Sequence, residues 1–143
     1  MATQSSVPIG LYAVSRAHRM AVGDIVAAHL PDSAARLAAT RHYLPLNVPL
    51  IKRVGAGSGA QVYATATVIT INGRHAAIRL AQDRLRRPLP WWNGCTRLNE
   101  GSVFLLSPVS ESFDNRYFGP TDMRLILGRA QPLWTRPLAG FQP

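Results

Sequence analysis

Of the 16 lysine and arginine residues in this chain, only Lys52 is a lysine. Arginine stays protonated at any workable pH, whereas a lysine surrounded by apolar side chains can lose its proton and act as a base. Lys52 follows Leu50 and Ile51 and precedes Arg53 and Val54, so the local sequence offers such surroundings. An arginine-rich composition could also retain one lysine by chance, and the neighbouring motifs must distinguish these two interpretations.

A neutral lysine can activate a serine, because a hydroxyl is a poor nucleophile until a nearby base removes its proton. Ser-Lys pairs are a known alternative to the Ser-His-Asp triad. The lysine pKa of about 10.4 would have to fall by roughly 3 units, or about 4 kcal/mol of bias against the charged form. Leu50, Ile51 and Val54 are the candidates to supply the apolar surroundings.

The composition indicates one globular domain over residues 1–143, with 47% hydrophobic and 16% charged residues. Cys95 is the only cysteine, which excludes an internal disulfide and a cysteine-rich metal site. The four histidines are scattered without ligand spacing. We therefore predict no metal and no cofactor.

The formal charge of +9 would suit nucleic acid or an anionic surface. The arginines are spread along the chain, however, and only Arg84, Arg86 and Arg87 form a tight group. No nucleic-acid motif accompanies them, so we predict no specific nucleic-acid partner. Apolar runs do not exceed four residues, which argues against a transmembrane helix or a secretory signal within the sequence.

The elements that must position Lys52 are mainly strands. The sequence predicts strands at 23–30, 48–54, 61–71, 102–109 and 124–134, and a short helix within 31–43. Asn72 and Gly73 are typical of a two-residue hairpin turn, after which the chain returns through residues 74–80. Gly128 is expected to form a bulge or bend in the last strand.

Residues 83–101 contain two prolines and two glycines among aromatic and basic side chains. This composition predicts an irregular insertion. The density of glycine and proline along the chain favours a compact, curved sheet system over a parallel α/β fold.

Three motifs in order resemble those of the signal peptidase I superfamily of membrane-associated serine proteases, and within it the TraF-type conjugative transfer peptidases. The first is S-x-P-x-G-x-Y, matched by Ser6, Pro8, Gly10 and Tyr12. The second is K-R-V at residues 52–54, and the third is S-F-D-x-R-Y-F-G-P at residues 112–120. The resemblance implies a mainly β fold, a curved antiparallel sheet or barrel with irregular loops and one or two short helices.

The resemblance implies Ser6 as the nucleophile, Lys52 as the general base and Asp114 as a member of the catalytic set. Ser112 would orient the lysine amine, and Arg116 would support the aspartate. The alternative for Asp114 and Arg116 is a structural ion pair under a turn. Residues 117–120 are interpreted as packing and turn, and Asp24, which also matches a family motif, as structural.

Ser6 is preferred over Ser5 because it alone has the family's spacing to Pro8. Its backbone N–H would be one donor to the oxyanion. Relatives place a hydroxyl residue two positions before the nucleophile, where this chain has Gln4. The second donor would then be the Gln4 amide or the Thr3 hydroxyl.

The resemblance implies a serine endopeptidase that cleaves a secreted precursor after small residues, with the substrate extended along a strand edge. A conjugative pilin subunit is the expected substrate, and either hydrolysis or cyclisation can resolve the acyl-enzyme. The expected location is the periplasmic face of the bacterial inner membrane. Five residues precede Ser6, so we also expect the natural gene product to be longer, with an apolar anchor of roughly 20 residues upstream.

Two other functions compete with this hypothesis. One is a general leader peptidase, disfavoured because residues 107–112 diverge from the G-D-N motif usual in those enzymes. The other is a basic, non-enzymatic β-domain that binds nucleic acid or a protein partner through its arginines.

Overall fold

The computed structural model describes residues 9–15, 20–107 and 112–136. Within these ranges the strands are β1 Ile9–Ser15, β2 Ile25–Ala28, β3 Leu50–Ala56, β4 Gln61–Thr65, β5 Val68–Ile71, β6 Arg74–Ile78, β7 Gly94–Arg97, β8 Ser102–Leu106, β9 Thr121–Asp122 and β10 Ile126–Arg136. The helices are α1 Asp32–Thr40 and α2 Asn115–Phe118, with a 3-10 turn at Met123–Leu125.

The strands form two antiparallel sheets, which confirms the prediction of a mainly β fold. The larger sheet has the order β1-β10-β2-β3-β8-β9, and the smaller has the order β6-β5-β4-β7. In sequence, the whole smaller sheet lies between β3 and β8, which are themselves paired in the larger sheet. The chain therefore leaves the larger sheet after β3, builds the second sheet, and returns beside β3.

Helix α1 connects β2 to β3, and it confirms the helix predicted within residues 31–43. Its alanines Ala34 and Ala38 are buried against Leu30, Leu44 and Leu50. Alanine has the highest helix propensity, and its small side chain allows the helix to pack closely. No helix in the described part of the chain has the length and apolar character needed to cross a bilayer.

The single strand predicted at 61–71 is wrong, because the chain turns at Ala66 and Thr67 and forms β4 and β5. Thr65 pairs with Val68 across this two-residue turn. Ala66 has φ +48°, a conformation that favours glycine. The Ala-Thr pair carries no turn signature, and the threonine fits a strand equally well, so the sequence concealed the turn.

The hairpin predicted at Asn72 and Gly73 is confirmed. Both residues have positive φ, 51° and 80°, as the tight turn between β5 and β6 requires. Gly128 is also confirmed as a bulge, since the pairing of β10 with β2 shifts register between Ile126 and Gly128.

The irregular segment predicted at 83–101 is wrong for Gly94–Arg97, which forms β7 and pairs with β4. The earlier part is a loop organised by Asp83. One carboxylate oxygen accepts the backbone N–H groups of Leu85 and Arg87, and the other accepts the Tyr43 hydroxyl and Arg87 Nε. Burial acts to raise the pKa of Asp83, but the hydrogen bonds from Tyr43 and Arg87 outweigh it and hold that pKa well below its usual range.

Replacing Ala66 by glycine should stabilise the protein, because glycine adopts positive φ without the steric cost that alanine pays. We expect Ala66→Gly to raise the free energy of unfolding by about 1 kcal/mol in urea titrations. The control is Ala64→Gly, two residues earlier in β4 and buried, which should lower stability. Equal losses in both variants would contradict this account of the turn.

Candidate active site

Lys52 lies in the middle of β3 and has no exposed surface. Strand β3 is interior to its sheet, between β2 and β8. Val26 of β2 is directly opposite Lys52, and both are fully buried. Alternate side chains of a strand point to opposite faces, so Lys52 shares its face with Leu50 and Val54, which are also buried, whereas Arg53 is exposed.

Burial lowers the pKa of Lys52 from 10.5 to about 8. Removal from water disfavours the charged ammonium, and this is the largest effect. The negative charge of Asp114 acts in the opposite direction and raises the pKa, while the positive charge of Arg116 lowers it. Near neutral pH a fraction of the amine is therefore unprotonated and able to accept a proton.

Asp114 and Arg116 form a buried ion pair. Arg116 Nε donates to Asp114 Oδ1 at 2.8 Å and Nη2 donates to Oδ2 at 3.0 Å, so the guanidinium holds both carboxylate oxygens. The side chains are 0% and 2% exposed, respectively. Two-point pairing of this kind fixes orientation as well as charge.

Asp114 receives two further hydrogen bonds, from the backbone N–H of Arg116 at 3.1 Å and of Ser107 at 3.0 Å. A carboxylate accepts about four hydrogen bonds in all. The four donors therefore occupy its lone pairs. This arrangement fixes the position of the Asp114 carboxylate beside Arg116.

Ser107 connects the ion pair to the end of β8. Its carbonyl accepts Arg116 Nη2 at 2.7 Å, in addition to its N–H bond to Asp114. It follows Leu106, which pairs with Arg53, the residue after Lys52. The ion pair is thus attached to the sheet at the point where β8 leaves the side of β3, close to Lys52.

Helix α2 places the ion pair, and its position along the chain was not predicted from the sequence. Asp114 is its N-cap, and Gly119, with φ +86°, ends it. Asn115 is fully buried and accepts the N–H of Leu105 in β8, which fastens the helix to the sheet. The Asn115 side-chain amide nitrogen donates to Thr121 Oγ1 at 2.9 Å.

The segment 117–120 was interpreted as packing and turn. Tyr117 is 2% exposed and packs in a cluster with Phe113 and residues of α1, while Gly119 provides the turn. The signal that could have revealed α2 is the pair of polar residues Asp114 and Asn115 beside Phe113, since an aspartate is a preferred N-cap.

Ser112 and Asp24 lie within the described residues. Ser112 is 6% exposed and stands two positions before Asp114; its predicted bond to the lysine amine stays a prediction. Asp24 accepts the N–H of Ala21 at 2.9 Å and lies 3.4 Å from Arg129. These contacts tie a turn to β10. Ser6 and Gln4, with Thr3, Ser5 and Pro8, lie outside the described residues, and their assignment also stays a prediction.

A buried amine with a lowered pKa, within electrostatic range of a buried ion pair, suits a general base, and comparison with known families gives the class. The chain is a serine peptidase: it belongs to the family described as "Signal peptidase, peptidase S26", whose model matches residues 2–134. Membership of this family implies that the substrate is a secreted protein.

Relatives within the family carry conjugation names. The chain is 37% identical to "Probable conjugal transfer protein TraF" of Sinorhizobium fredii over 141 residues, which is 91% of this chain and 73% of the relative. It is 34% identical to "Conjugal transfer protein TraF" of Agrobacterium fabrum over 140 residues, 91% of this chain and 78% of the relative. The crystal structure of a signal peptidase I from Enterococcus faecalis aligns with a TM-score of 0.45 and 19% identity, covering 80% of this chain and 98% of that one.

The pKa of Lys52 can be measured directly, because a protein labelled with isotopic lysine gives a single lysine side-chain signal. We expect that signal to titrate near pH 8 in the folded protein and near 10.5 in urea, since burial is the main cause of the shift. A folded-state midpoint close to that of the unfolded chain would show that water reaches the amine.

The burial of Lys52 should also reduce stability. In the fold Lys52 titrates near 8 and in the unfolded chain near 10.5, so between these values the unfolded state binds more protons and the free energy of unfolding rises with pH. Lys52→Met removes the buried charge and should stabilise the protein by about 1 to 4 kcal/mol below pH 8. The gain should shrink as the pH approaches 10.5. A gain that stays constant across this range in chemical denaturation would contradict the account.

Proposed function

We propose that this chain is the peptidase domain of an endopeptidase that processes a conjugative pilin precursor with a Ser6–Lys52 dyad. The observation that carries the proposal is the fully buried Lys52, whose pKa is lowered to about 8. Arginine could not serve at this position, because its pKa lies too far above neutrality to be lowered by burial alone. The single lysine is therefore explained by the need for a base.

In the proposed reaction the neutral Lys52 amine accepts the proton of the Ser6 hydroxyl as Ser6 Oγ attacks the scissile carbonyl. The ammonium then returns this proton to the leaving amine as the peptide bond breaks. The product is an ester between Ser6 and the new carboxyl end of the substrate. Water, or an amine of the substrate, next attacks this ester with Lys52 again acting as base.

The supporting residues would hold the dyad in place. Asp114 contributes a fixed charge locked by Arg116, and Ser112 orients the lysine amine by a hydrogen bond. The Ser6 backbone N–H would stabilise the oxyanion, with the Gln4 amide or the Thr3 hydroxyl as the second donor.

The pairing of β3 supports binding of an extended substrate near Lys52. Leu50 and Ile51 pair with Ala28 and Ala27 on one side, whereas the described pairing with β8 begins only at Arg53. Ser107 donates its N–H to Asp114 instead of continuing the ladder. No pairing with β8 is described for this buried part of β3, and we propose that an extended substrate adds beside it as a strand.

The relatives named for conjugal transfer favour a pilin subunit as the precursor over the wider range of a general leader peptidase. The site of action would be the periplasmic face of the inner membrane, with an N-terminal anchor upstream. Both hydrolysis and cyclisation follow from the same acyl-enzyme. Mass spectrometry of the processed pilin separates them, because a cyclic product is one water lighter than the linear product.

The non-enzymatic alternative is weakened by where the cations lie. Lys52, Arg79 and Arg116 all count toward the formal charge of +9 but are buried. Arg87 and Arg124 are paired with Asp83 and Asp122. These five cations therefore contribute little to a basic surface of the kind that nucleic-acid binding requires.

Cleavage of a peptide with small residues before the cut site should depend on Ser6 and Lys52 together. We expect Ser6→Ala and Lys52→Met each to abolish turnover, and the double variant to be hardly worse than either, because nucleophile and base act as one unit. In the active protein, kcat/KM should rise with pH through an apparent pKa near 8, since only the neutral amine accepts the proton.

Lys52→Arg should be inactive at every pH tested, because it keeps the charge but cannot provide a neutral base. The matched control is Arg53→Lys, which supplies a lysine on the exposed face of β3 and should not restore activity to Lys52→Arg. Cleavage by Lys52→Arg at a rate near that of the unchanged protein would refute the dyad. Cleavage by Ser6→Ala would refute the nucleophile.

A further inference from the structure

The end of β6 and the residues after it hold α2 through three successive positions. The carbonyl of Ile78 accepts Arg116 Nη1 at 2.8 Å. Arg79 Nη1 donates to the carbonyl of Arg116 at 3.4 Å. The N–H of Leu80 donates to the Tyr117 hydroxyl at 2.9 Å. The smaller sheet is therefore attached directly to the helix that carries the Asp114–Arg116 pair.

Arg79 is the central member of this contact and is fully buried. Its Nε donates to the carbonyl of Ala66 at 2.8 Å and its Nη2 donates to Asn93 Oδ1 at 2.6 Å. Its Nη1 also donates to the carbonyl of Trp92. The guanidinium carbon lies 4.2 Å from the centre of the Trp91 ring. One side chain thus joins the β4–β5 turn, residues 91–93 and α2.

The acceptors that the structure gives Arg79 are all neutral oxygens. Burial of a cation without an opposite charge costs several kcal/mol, and an apolar residue of similar size would pack at lower cost. Burial accordingly lowers the pKa of Arg79, although the nearby Tyr117 phenol raises it. Packing alone does not explain an arginine here, whereas its forked donors reach three separate segments at once.

We propose that Arg79 is a positioning residue of the peptidase site, which fixes α2 and thereby holds the Asp114–Arg116 pair in place near the buried amine of Lys52. This inference rests on the proposed role of Lys52 as the base. It assigns to the smaller sheet a part in catalysis, although that sheet contributes none of the residues proposed to act on the substrate.

Loss of the Arg79 contacts should loosen α2 and admit water beside Lys52. Because removal from water is the main reason for the lowered pKa of Lys52, that pKa should then rise toward the value of a free lysine. The pH at which activity reaches half its maximum should rise with it.

The test is Arg79→Lys, which keeps the charge but cannot reach all four acceptors. We expect kcat/KM at neutral pH to fall roughly tenfold, and the midpoints of both the activity profile and the Lys52 NMR titration to rise by about 0.5 to 1 pH unit. Because each Arg→Lys variant adds a second lysine, its Lys52 signal is identified as the one that disappears when Lys52→Met is added. Asn93→Ala removes one acceptor and leaves the guanidinium in place, so it should give a smaller shift in the same direction. It serves as the milder variant if Arg79→Lys folds poorly.

Two controls separate positioning from general stability. Arg97→Lys makes the same chemical change on the exposed surface of β7, where Arg97 donates one hydrogen bond to the carbonyl of Gly59. It should change neither the midpoint of the activity profile nor that of the Lys52 titration. Val62→Ala weakens the core of the smaller sheet, where Val62 is fully buried. It should lower the melting temperature while leaving the Lys52 midpoint in place.

The proposal is overturned if Arg79→Lys and Asn93→Ala both leave the Lys52 NMR midpoint unchanged, or if Val62→Ala shifts it equally. If the Ser6–Lys52 dyad were wrongly assigned, the outcome would differ from a failure of the Arg79 proposal. The NMR midpoint would still rise in Arg79→Lys, but the activity profile would not follow it.

Discussion

Lys52 carries an amine that water would keep protonated at neutral pH, and β3 keeps water away from it. Strand β2 pairs with β3 opposite Lys52, β8 pairs with β3 from Arg53 onward, and Lys52 shares its buried face with Leu50 and Val54. Burial of an ammonium is unfavourable by several kcal/mol, so the group responds by releasing its proton more readily. The interior position of β3 is thus the condition for base chemistry at this site.

Because Asp114 is paired with Arg116, a carboxylate can lie near Lys52 without cancelling the effect of burial on the lysine pKa. Asp114 alone would stabilise the ammonium and offset part of the effect of burial, because an opposite charge favours the protonated lysine. Arg116 holds both oxygens of Asp114 and opposes its influence on Lys52. The site therefore contains an ion pair of almost no net charge, which can orient polar groups without favouring protonation of the Lys52 amine.

Much of the fold and site could be predicted because the signals were local. Asn72 and Gly73 specify a turn by their own conformational preferences, and α1 is indicated by its alanines. Lys52, Asp114 and Arg116 were recognised from motif spacing, and the structure places Asp114 and Arg116 together within range of Lys52. Features decided by distant partners were missed. Strand β7 depends on β4, which precedes it by a long stretch of chain.

Arg79 illustrates the same limit for the site. Nothing near it in sequence distinguishes it from the other arginines, since its surroundings come from Ala66, Trp92 and Arg116. The turn at Ala66 was hidden for a related reason, because a non-glycine residue can adopt positive φ when the neighbouring strands require it.

The insertion of the smaller sheet between β3 and β8 has a consequence for the order in which the protein folds. Joining β3 to β8 directly would require closure of a long loop over residues 57–101, and such non-local pairing is slow. The hairpins β4–β5 and β5–β6 are local and form on a much shorter timescale. Once they assemble with β7, the ends of β3 and β8 are brought near each other. We therefore expect the amine of Lys52 to be enclosed late in folding, after segments that contribute no catalytic group have formed.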